Sequence, residues 1–226
     1  LSHNKRVLVI AAHPDDELLG LGGTIALHTR ARHRVTSVIV CAGDLKHDET
    51  GGEAVRRQAQ EAAHVLGVDD LRLLPFPDQG LDRYSLVEII SPIEEIVHEV
   101  EPNVVYIQYG YDINRDHQLL FQAALVATRP LERSIEAVYS FDTVSSTEWA
   151  YPRNFNPDTW VDISETLSLK LEAMARYKTE LREWPHPRSI RSLQAKAESA
   201  GSQVCSEAAE SFMTIRRVLR DGQTLI

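Results

Sequence analysis

Cysteine is scarce in this chain: Cys41 and Cys205 are its only two, and no C-x-x-C pair occurs. That leaves no framework for a disulfide scaffold, and a reducing compartment is the simpler reading. Long hydrophobic runs are missing too. The longest, Val7 to Ala12, falls far short of the about 18 apolar residues that a membrane span needs. No charged-then-apolar leader with a small-residue cleavage site precedes it, so a cytoplasmic location is the expectation for a chain that begins at Leu1. Positive charge is in deficit, with 24 Lys and Arg against 33 Asp and Glu and a net charge of −9. Arg56-Arg57 and Arg216-Arg217 are pairs in mixed segments, not basic runs, so an electrostatic footprint for nucleic acid is excluded. Repeats and low-complexity linkers are absent as well.

What is present is an alternation of two periodicities. The 226 residues, 43% hydrophobic, suffice for a core without staples and are expected to form one domain over 1–226. Val7 to Ala12 is a continuous apolar run, the pattern of a strand covered on both faces. The following segments read as helix Leu18–Arg30, strand Val35–Val40, helix Glu53–Leu66, strand Leu71–Leu74, helix Leu86–Glu101, strand Val104–Ile107 and helix Leu119–Ala127. Such alternation predicts a Rossmann-like, doubly wound α/β fold with a mostly parallel sheet. From about residue 135 the pattern loosens into a less regular C-terminal extension. Strands are expected there at Val138–Phe141, Trp160–Ile163 and Phe212–Leu219, and a helix at Ser164–Leu181.

Ligands of open α/β sheets bind outside the carboxyl ends of the strands. Two of those ends carry unusual side chains: His13-Pro14-Asp15-Asp16-Glu17 after the first strand, and Asp112-Ile113-Asn114-Arg115-Asp116-His117 after the fourth. Each is ordinary by itself, because paired carboxylates before a helix serve as caps and complement its dipole. Together, at ends that open on the same side of the sheet, His13, Asp16 and His117 can converge. Two imidazoles and a carboxylate make an open zinc set with a position left for water.

The first motif, followed by Gly22-Gly23, resembles the A-H-P-D-D-E…G-G signature of the PIG-L/LmbE-like N-acetylglucosamine deacetylases. The likeness continues through Arg56 to Gly67, Pro77-Asp78, the Asp112–His117 loop, Ser145 to Trp149 and Phe155 to Ser164. It runs on through Tyr177 to Glu180, Pro185-His186-Pro187-Arg188-Ser189 and Ala209 to Phe212, nearly the whole chain. The resemblance implies one zinc ion per chain on His13, Asp16 and His117, with Asp15 as general base. It implies a small N-acetylated sugar or glycoside as substrate, with free sugars, thiol-cofactor precursors, antibiotic intermediates and lipid-linked glycans all represented. Assembly as a trimer or hexamer is implied too. Arg56, and with it Asp44, are candidate substrate contacts; Trp149, Tyr151, Trp184 and Tyr111 are aromatic surfaces on which a sugar ring can stack.

One departure matters. Many members carry a histidine three residues before the last metal histidine, and Asn114 stands there in this chain. Asn114 can donate an amide hydrogen bond to an oxyanion but carries no charge. The missing cation is sought in Arg115 or in His186, whose flanking prolines stiffen its backbone. Asp116 is expected to orient a metal ligand. Rival readings fit less well. A dinucleotide site wants G-x-G-x-x-G after the first strand, where carboxylates stand instead; Gly20, Gly22 and Gly23 come later and are explained by close helix packing. A phospho-receiver module is about half this length. A non-enzymatic sugar binder has no need of Asp15; among enzymes a metal phosphoesterase is the runner-up, although its two-metal sites usually need more ligands, and an amidohydrolase acting on a non-sugar N-acyl group is a further alternative.

Overall fold

The computed structural model describes residues 4–43, 52–131 and 134–220. Its first strand, β1 (Arg6–Ala11), is the apolar run, buried from Val7 onward. Val7, Val9 and Ala11 enter one core, and Leu8 and Ile10 enter another. A strand apolar on both faces belongs in the middle of a covered sheet. Here it pairs in parallel with β2 (Arg34–Ile39) on one side and with β4 (Val104–Gln108) on the other. Next to β2 lies β3 (Asp70–Leu73), and next to β4 lies β5 (Ala137–Phe141), giving a parallel order β3-β2-β1-β4-β5. Helices α1 (Asp16–Arg30) and α2 (Glu53–Leu66) supply the first core; α3 (Leu86–Val100) and α4 (Arg115–Ala127) supply the second. The sheet is therefore doubly wound. Because β1 and β4 are neighbours whose crossovers leave in opposite directions, the switch point lies between them.

Two boundaries are set by caps. Ser85 and Glu88 form a capping box that starts α3. Helix α4 starts four residues before its apolar pattern, because Asn114 Oδ1 accepts from Asp116 N at 2.9 Å. That cap brings Asp116 and His117 into the first helical turn.

The C-terminal extension is more ordered than its sequence pattern. Strand β7 (Ala209–Arg217) pairs antiparallel with β5 and in turn with β6 (Thr159–Asp162), so the sheet ends β5-β7-β6. The helix expected over Ser164–Leu181 is shorter, α5 (Leu167–Met174). The chain then turns so that Tyr177, fully buried, donates its hydroxyl to Glu17 Oε1 at 2.8 Å. A further helix, α6 (Ile190–Ser202), follows where the sequence pattern marks no element. It is capped by Ser189 and packs through Leu193, Ala197, Ala200 and Gly201, of which only Leu193 is large enough to mark an apolar stripe. No helix among the described residues is long and apolar enough to cross a membrane.

Helix α1 lies close against the sheet and is broken at Leu21, where φ is −146°. In an unbroken helix Gly23 N–H would bond Leu19 C=O. Here Glu210 accepts from Gly23 N and Thr24 N at 3.0 and 2.7 Å, while Lys170 Nζ donates to Leu19 O at 3.2 Å. Lys170 and Glu210 close the arrangement with a buried 2.6 Å ion pair. One ion pair thus satisfies the backbone groups that the break exposes and ties α1 to α5 and β7. The glycines allow the approach: a Cβ on Gly20 would fall 2.2 Å from Phe141 Cδ2, and one on Gly23 2.7 Å from Ile163 Cδ1. Gly20→Ala is expected to lower stability by about 1–3 kcal/mol through overpacking against a ring that has no room to move. Urea denaturation checks this, and an unchanged midpoint would show that Phe141 yields.

Candidate metal centre and active site

The two chemistry-bearing loops meet at the switch point. After β1, Ala12 N donates to Gln108 Oε1 of β4 at 2.7 Å, which levels the two strand ends. The chain then folds back on itself: His13 N donates to Asp16 Oδ2 at 2.8 Å and Asp16 N to His13 O at 3.2 Å. After β4, Asn114 N donates to Asp112 Oδ1 at 2.8 Å and Gln118 Nε2 to Asp112 O at 2.8 Å, fixing the start of α4.

These turns place His13 Nδ1, Asp16 Oδ2 and His117 Nε2 at the corners of a triangle with edges of 3.2, 3.2 and 3.3 Å. A tetrahedral ion with bonds of about 2.0–2.1 Å to nitrogen and oxygen requires ligand edges of about 3.3–3.4 Å. The opposite ring nitrogens are both engaged. His117 Nδ1 donates to Asp112 Oδ2 at 2.7 Å, and His13 Nε2 donates to Asp116 Oδ2 at 3.0 Å. With those protons outward, the lone pairs of both rings point inward at each other and at a carboxylate. Three converging lone pairs are unfavourable unless positive charge sits among them, so the donor set fits a divalent cation. The proton affinities agree. Burial opposes charge on His13, yet its hydrogen bonds to the carboxylates of Asp116 and Asp16 raise its pKa well above the usual value. His117 is raised as well, Asp16 and Asp112 outweighing its burial. Burial would raise Asp16, but His117 and His13 hold it well below the ordinary carboxylate range.

Asp15 stands apart from the triangle although it adjoins Asp16. Its backbone is left-handed, with φ 100°, and its carboxylate faces Arg188, whose Nη1 lies 3.2 Å from Asp15 Oδ2. Burial pushes the Asp15 pKa well up; Arg188 opposes this, and Asp16 and Glu180 reinforce it. Arg188 is itself held by Glu180 Oε2 at 3.2 Å and, through Nε, by Ser145 Oγ at 2.8 Å. Asp15, His13, Asp78, Asn114, Glu180 and Arg188 line a cleft of about 160 Å³ beside the triangle.

The other expected residues are distributed less simply. Asp116 lies against His13 and also accepts from Leu81 N at 3.1 Å. Asn114 lines the cleft, with its carbonyl spent on the helix cap. Arg115 Nη1 reaches Gln118 at 3.0 Å on the exposed side of α4. His186 is not among the cleft-lining residues: its Nδ1 accepts from Arg188 N at 3.1 Å, and its ring meets Trp149 edge-on at 6.2 Å. Arg56 donates to the carbonyls of Ala42 and Gly43 at 3.0 and 3.3 Å, holding the backbone beyond β2. Trp149 is half exposed. Asp44 lies outside the described residues. The residues that sequence reasoning passed over are Arg188 and Glu180. In the Pro-His-Pro-Arg-Ser segment the arginine two residues beyond the histidine is the side chain that faces the cleft.

A mostly parallel α/β sheet that gathers two histidines and a carboxylate able to hold a metal, with a separate buried carboxylate beside them at its switch point, has the arrangement of a metal-dependent hydrolase. Comparison with known proteins makes the class specific. The PIG-L family model, described as GlcNAc-PI de-N-acetylase, matches residues 8–128, and the chain belongs to this family. It is 26% identical over 186 residues to a probable N-acetyl-alpha-D-glucosaminyl L-malate deacetylase 2 of Bacillus cereus, covering 78% of this chain and 84% of that one. It is 28% identical over 194 residues to the diacetylchitobiose deacetylase of Thermococcus kodakarensis, covering 79% and 71%. The fold matches that of the N,N'-diacetylchitobiose deacetylase from Pyrococcus horikoshii in complex with its inhibitor MPG, with a TM-score of 0.75 at 21% identity over 93% of this chain and 84% of that one.

The ring-orienting hydrogen bonds generate a prediction. Asp112→Asn is expected to weaken metal affinity by about 10–100-fold while the fold persists, and His117→Ala to abolish tight binding. Competition with a chromogenic chelator measures both. Equal affinity in Asp112→Asn would mean that the carboxylate does not fix the His117 ring.

Proposed function

We propose that this chain removes the acetyl group from the nitrogen of an N-acetylated amino sugar or small glycoside, with one zinc ion per chain held by His13, Asp16 and His117. The observation that carries the reading is Asp15: a buried carboxylate in the cleft, beside the ligand triangle but not part of it. Zinc at the triangle would supply a Lewis acid for the amide carbonyl and lower the pKa of a neighbouring water.

The protein groups divide the remaining work. Asp15 takes the proton of the attacking water, and its raised proton affinity suits a group that must hold that proton and pass it to the leaving nitrogen. Arg188 aims the Asp15 carboxylate through Nη1. Its Nη2 makes no hydrogen bond among the described residues, so two N–H groups are free to meet a substrate oxygen at the cleft wall. That supplies the cation that Asn114 lacks, and the Asn114 side-chain NH2 adds a neutral donor. Asp116 and Asp112 keep the ligand rings in register.

The cleft also bears on substrate class. Its volume is below the about 300 Å³ at which pockets for drug-sized ligands begin, so it takes the acetamido end and part of one ring. Apart from Pro14 and Val55, its lining is polar or charged. Such walls suit hydroxyl groups and disfavour a long acyl chain, which favours a sugar over an apolar N-acyl substrate. The diacetylchitobiose and glucosaminyl malate named for its relatives belong to that chemical class.

Acetate release across a panel of N-acetylated sugars and N-acyl amino acids tests the reading; turnover confined to the amino acids would overturn it. Asp15→Asn is expected to retain metal and lose about 10²–10⁴ in kcat, the usual contribution of a positioned base. Arg188→Ala is expected to retain metal and lose about 10²–10³ in kcat, the scale of a removed oxyanion donor. An Arg188→Ala enzyme at the parent rate would confine Arg188 to bracing the α5–α6 segment.

A further inference from the structure

Behind the ligand triangle the other nitrogen of His13 faces a second set of donors. Cys41 sits just past β2, where its N–H donates to Ala12 O at 2.7 Å. The Cys41 Sγ lies 3.6 Å from Asp116 Oδ2, and His13 Nε2 lies 3.0 Å from the same oxygen. The three ligand atoms all fall within 4.8 Å of one another. Asp78 Oδ1, 3.4 Å from His13 Nε2, offers a fourth donor on the cleft side.

We propose that His13, Cys41 and Asp116 form a second cation site, selective for thiophilic divalent ions, whose occupation inhibits the enzyme. A tetrahedral ion bonded at about 2.0–2.1 Å to nitrogen and oxygen and at about 2.3 Å to sulfur needs N···O and S···O separations of about 3.3 and 3.5 Å. The observed 3.0 and 3.6 Å meet that within a few tenths of an ångström. The sulfur sets the selectivity: thiolate ligands favour zinc and its softer congeners, whereas magnesium, calcium and manganese favour oxygen. The triangle of His13, Asp16 and His117 contains no sulfur and has no such bias.

In the working enzyme a proton occupies this second place, shared between His13 Nε2 and Asp116. Cation binding replaces that proton and the thiol proton, and both leave to solvent. Cys41 and Asp116 are buried, but His13 and Asp78 both line the cleft, so an ion reaches them through it. Once bound it removes the hydrogen bond that orients His13 and places positive charge beside Asp78. The binding claim stands on these four side chains; its inhibitory consequence rests on the hydrolase reading of the adjoining triangle.

The test uses zinc-loaded protein carrying Cys205→Ser, in which Cys41 is the sole thiol, titrated with Cd2+. One further equivalent should bind with a sulfur-to-cadmium charge-transfer absorption, zinc should stay in place, and acetate release should fall about 10-fold or more, the scale on which losing a ligand's hydrogen-bond partner acts. Cys41→Ser in the same background should keep its zinc, show no such absorption and resist Cd2+ relative to its own starting rate. Inhibition without the absorption, or with stoichiometric zinc release, overturns the site even if the Cys41 variant does not fold. Absorption without inhibition overturns the regulatory half. Zinc-loaded protein that is inactive before cadmium is added removes the hydrolase reading and leaves the absorption titration to judge the site.

Discussion

Two histidine–carboxylate hydrogen bonds, His117 to Asp112 and His13 to Asp116, decide what this fold does. Each takes one ring nitrogen out of play and so directs the other inward. The constraint reaches back into the sheet. Both rings serve one ion only if β1 and β4 end at the same height, and their register, Val7 with Val104 through Ile10 with Ile107, ensures this. Gln108 closes the last gap by accepting from Ala12 N. The convergence is costly in a cation-free chain, because three lone pairs face one another in a buried space. The apolar cores above and below β1 supply the cohesion that holds them there.

The histidine–carboxylate triangle and the far wall of the cleft come from different parts of the chain. His13, Asp15, Asp16 and His117 lie within residues 8–128, the span that matches the family model. Arg188 and Glu180, which wall the cleft opposite them, lie beyond it. The wall still needs a firm attachment, because Arg188 must hold its guanidinium against a buried carboxylate. Helix α5, which leads into this wall, is fastened to α1 and β7 by Lys170 and Glu210. Removing one partner of a buried pair leaves an uncompensated charge, so this joint and the helix break it repairs depend on each other.

The N-terminal two thirds were legible because each signal there was redundant. Strand β1 is apolar on both faces, α2 has a clean amphipathic pattern closed by Gly67, and His13, Asp16 and His117 sit at strand-to-helix junctions that chain topology brings together. Legibility failed where packing used small residues or distant partners. Helix α6 buries Ala197, Ala200 and Gly201, which leave no periodic trace of large side chains. Strand β7 slots between β5 and β6 in antiparallel sense, a pairing that no local pattern announces. Arg188 was hidden for a related reason: arginine is an ordinary surface residue until a fold brings Asp15, from a position 173 residues earlier, to within 3.2 Å.

The adjacent Asp15 and Asp16 show how one backbone dihedral separates two roles. Successive carboxylates at the start of a regular helix would share one environment and repel each other. Asp15 instead adopts φ 100°, a left-handed conformation that costs a non-glycine residue about 1–3 kcal/mol. The turn sends Asp16 toward two imidazoles, which hold its carboxylate ionised, and sends Asp15 into a buried site where protonation is favoured. Glycine at position 15 would relieve the strain and remove the carboxylate. Aspartate in that conformation therefore carries a strain that sets two adjacent carboxylates in opposite environments, one held ionised beside two imidazoles and the other in a buried site that favours its protonated form.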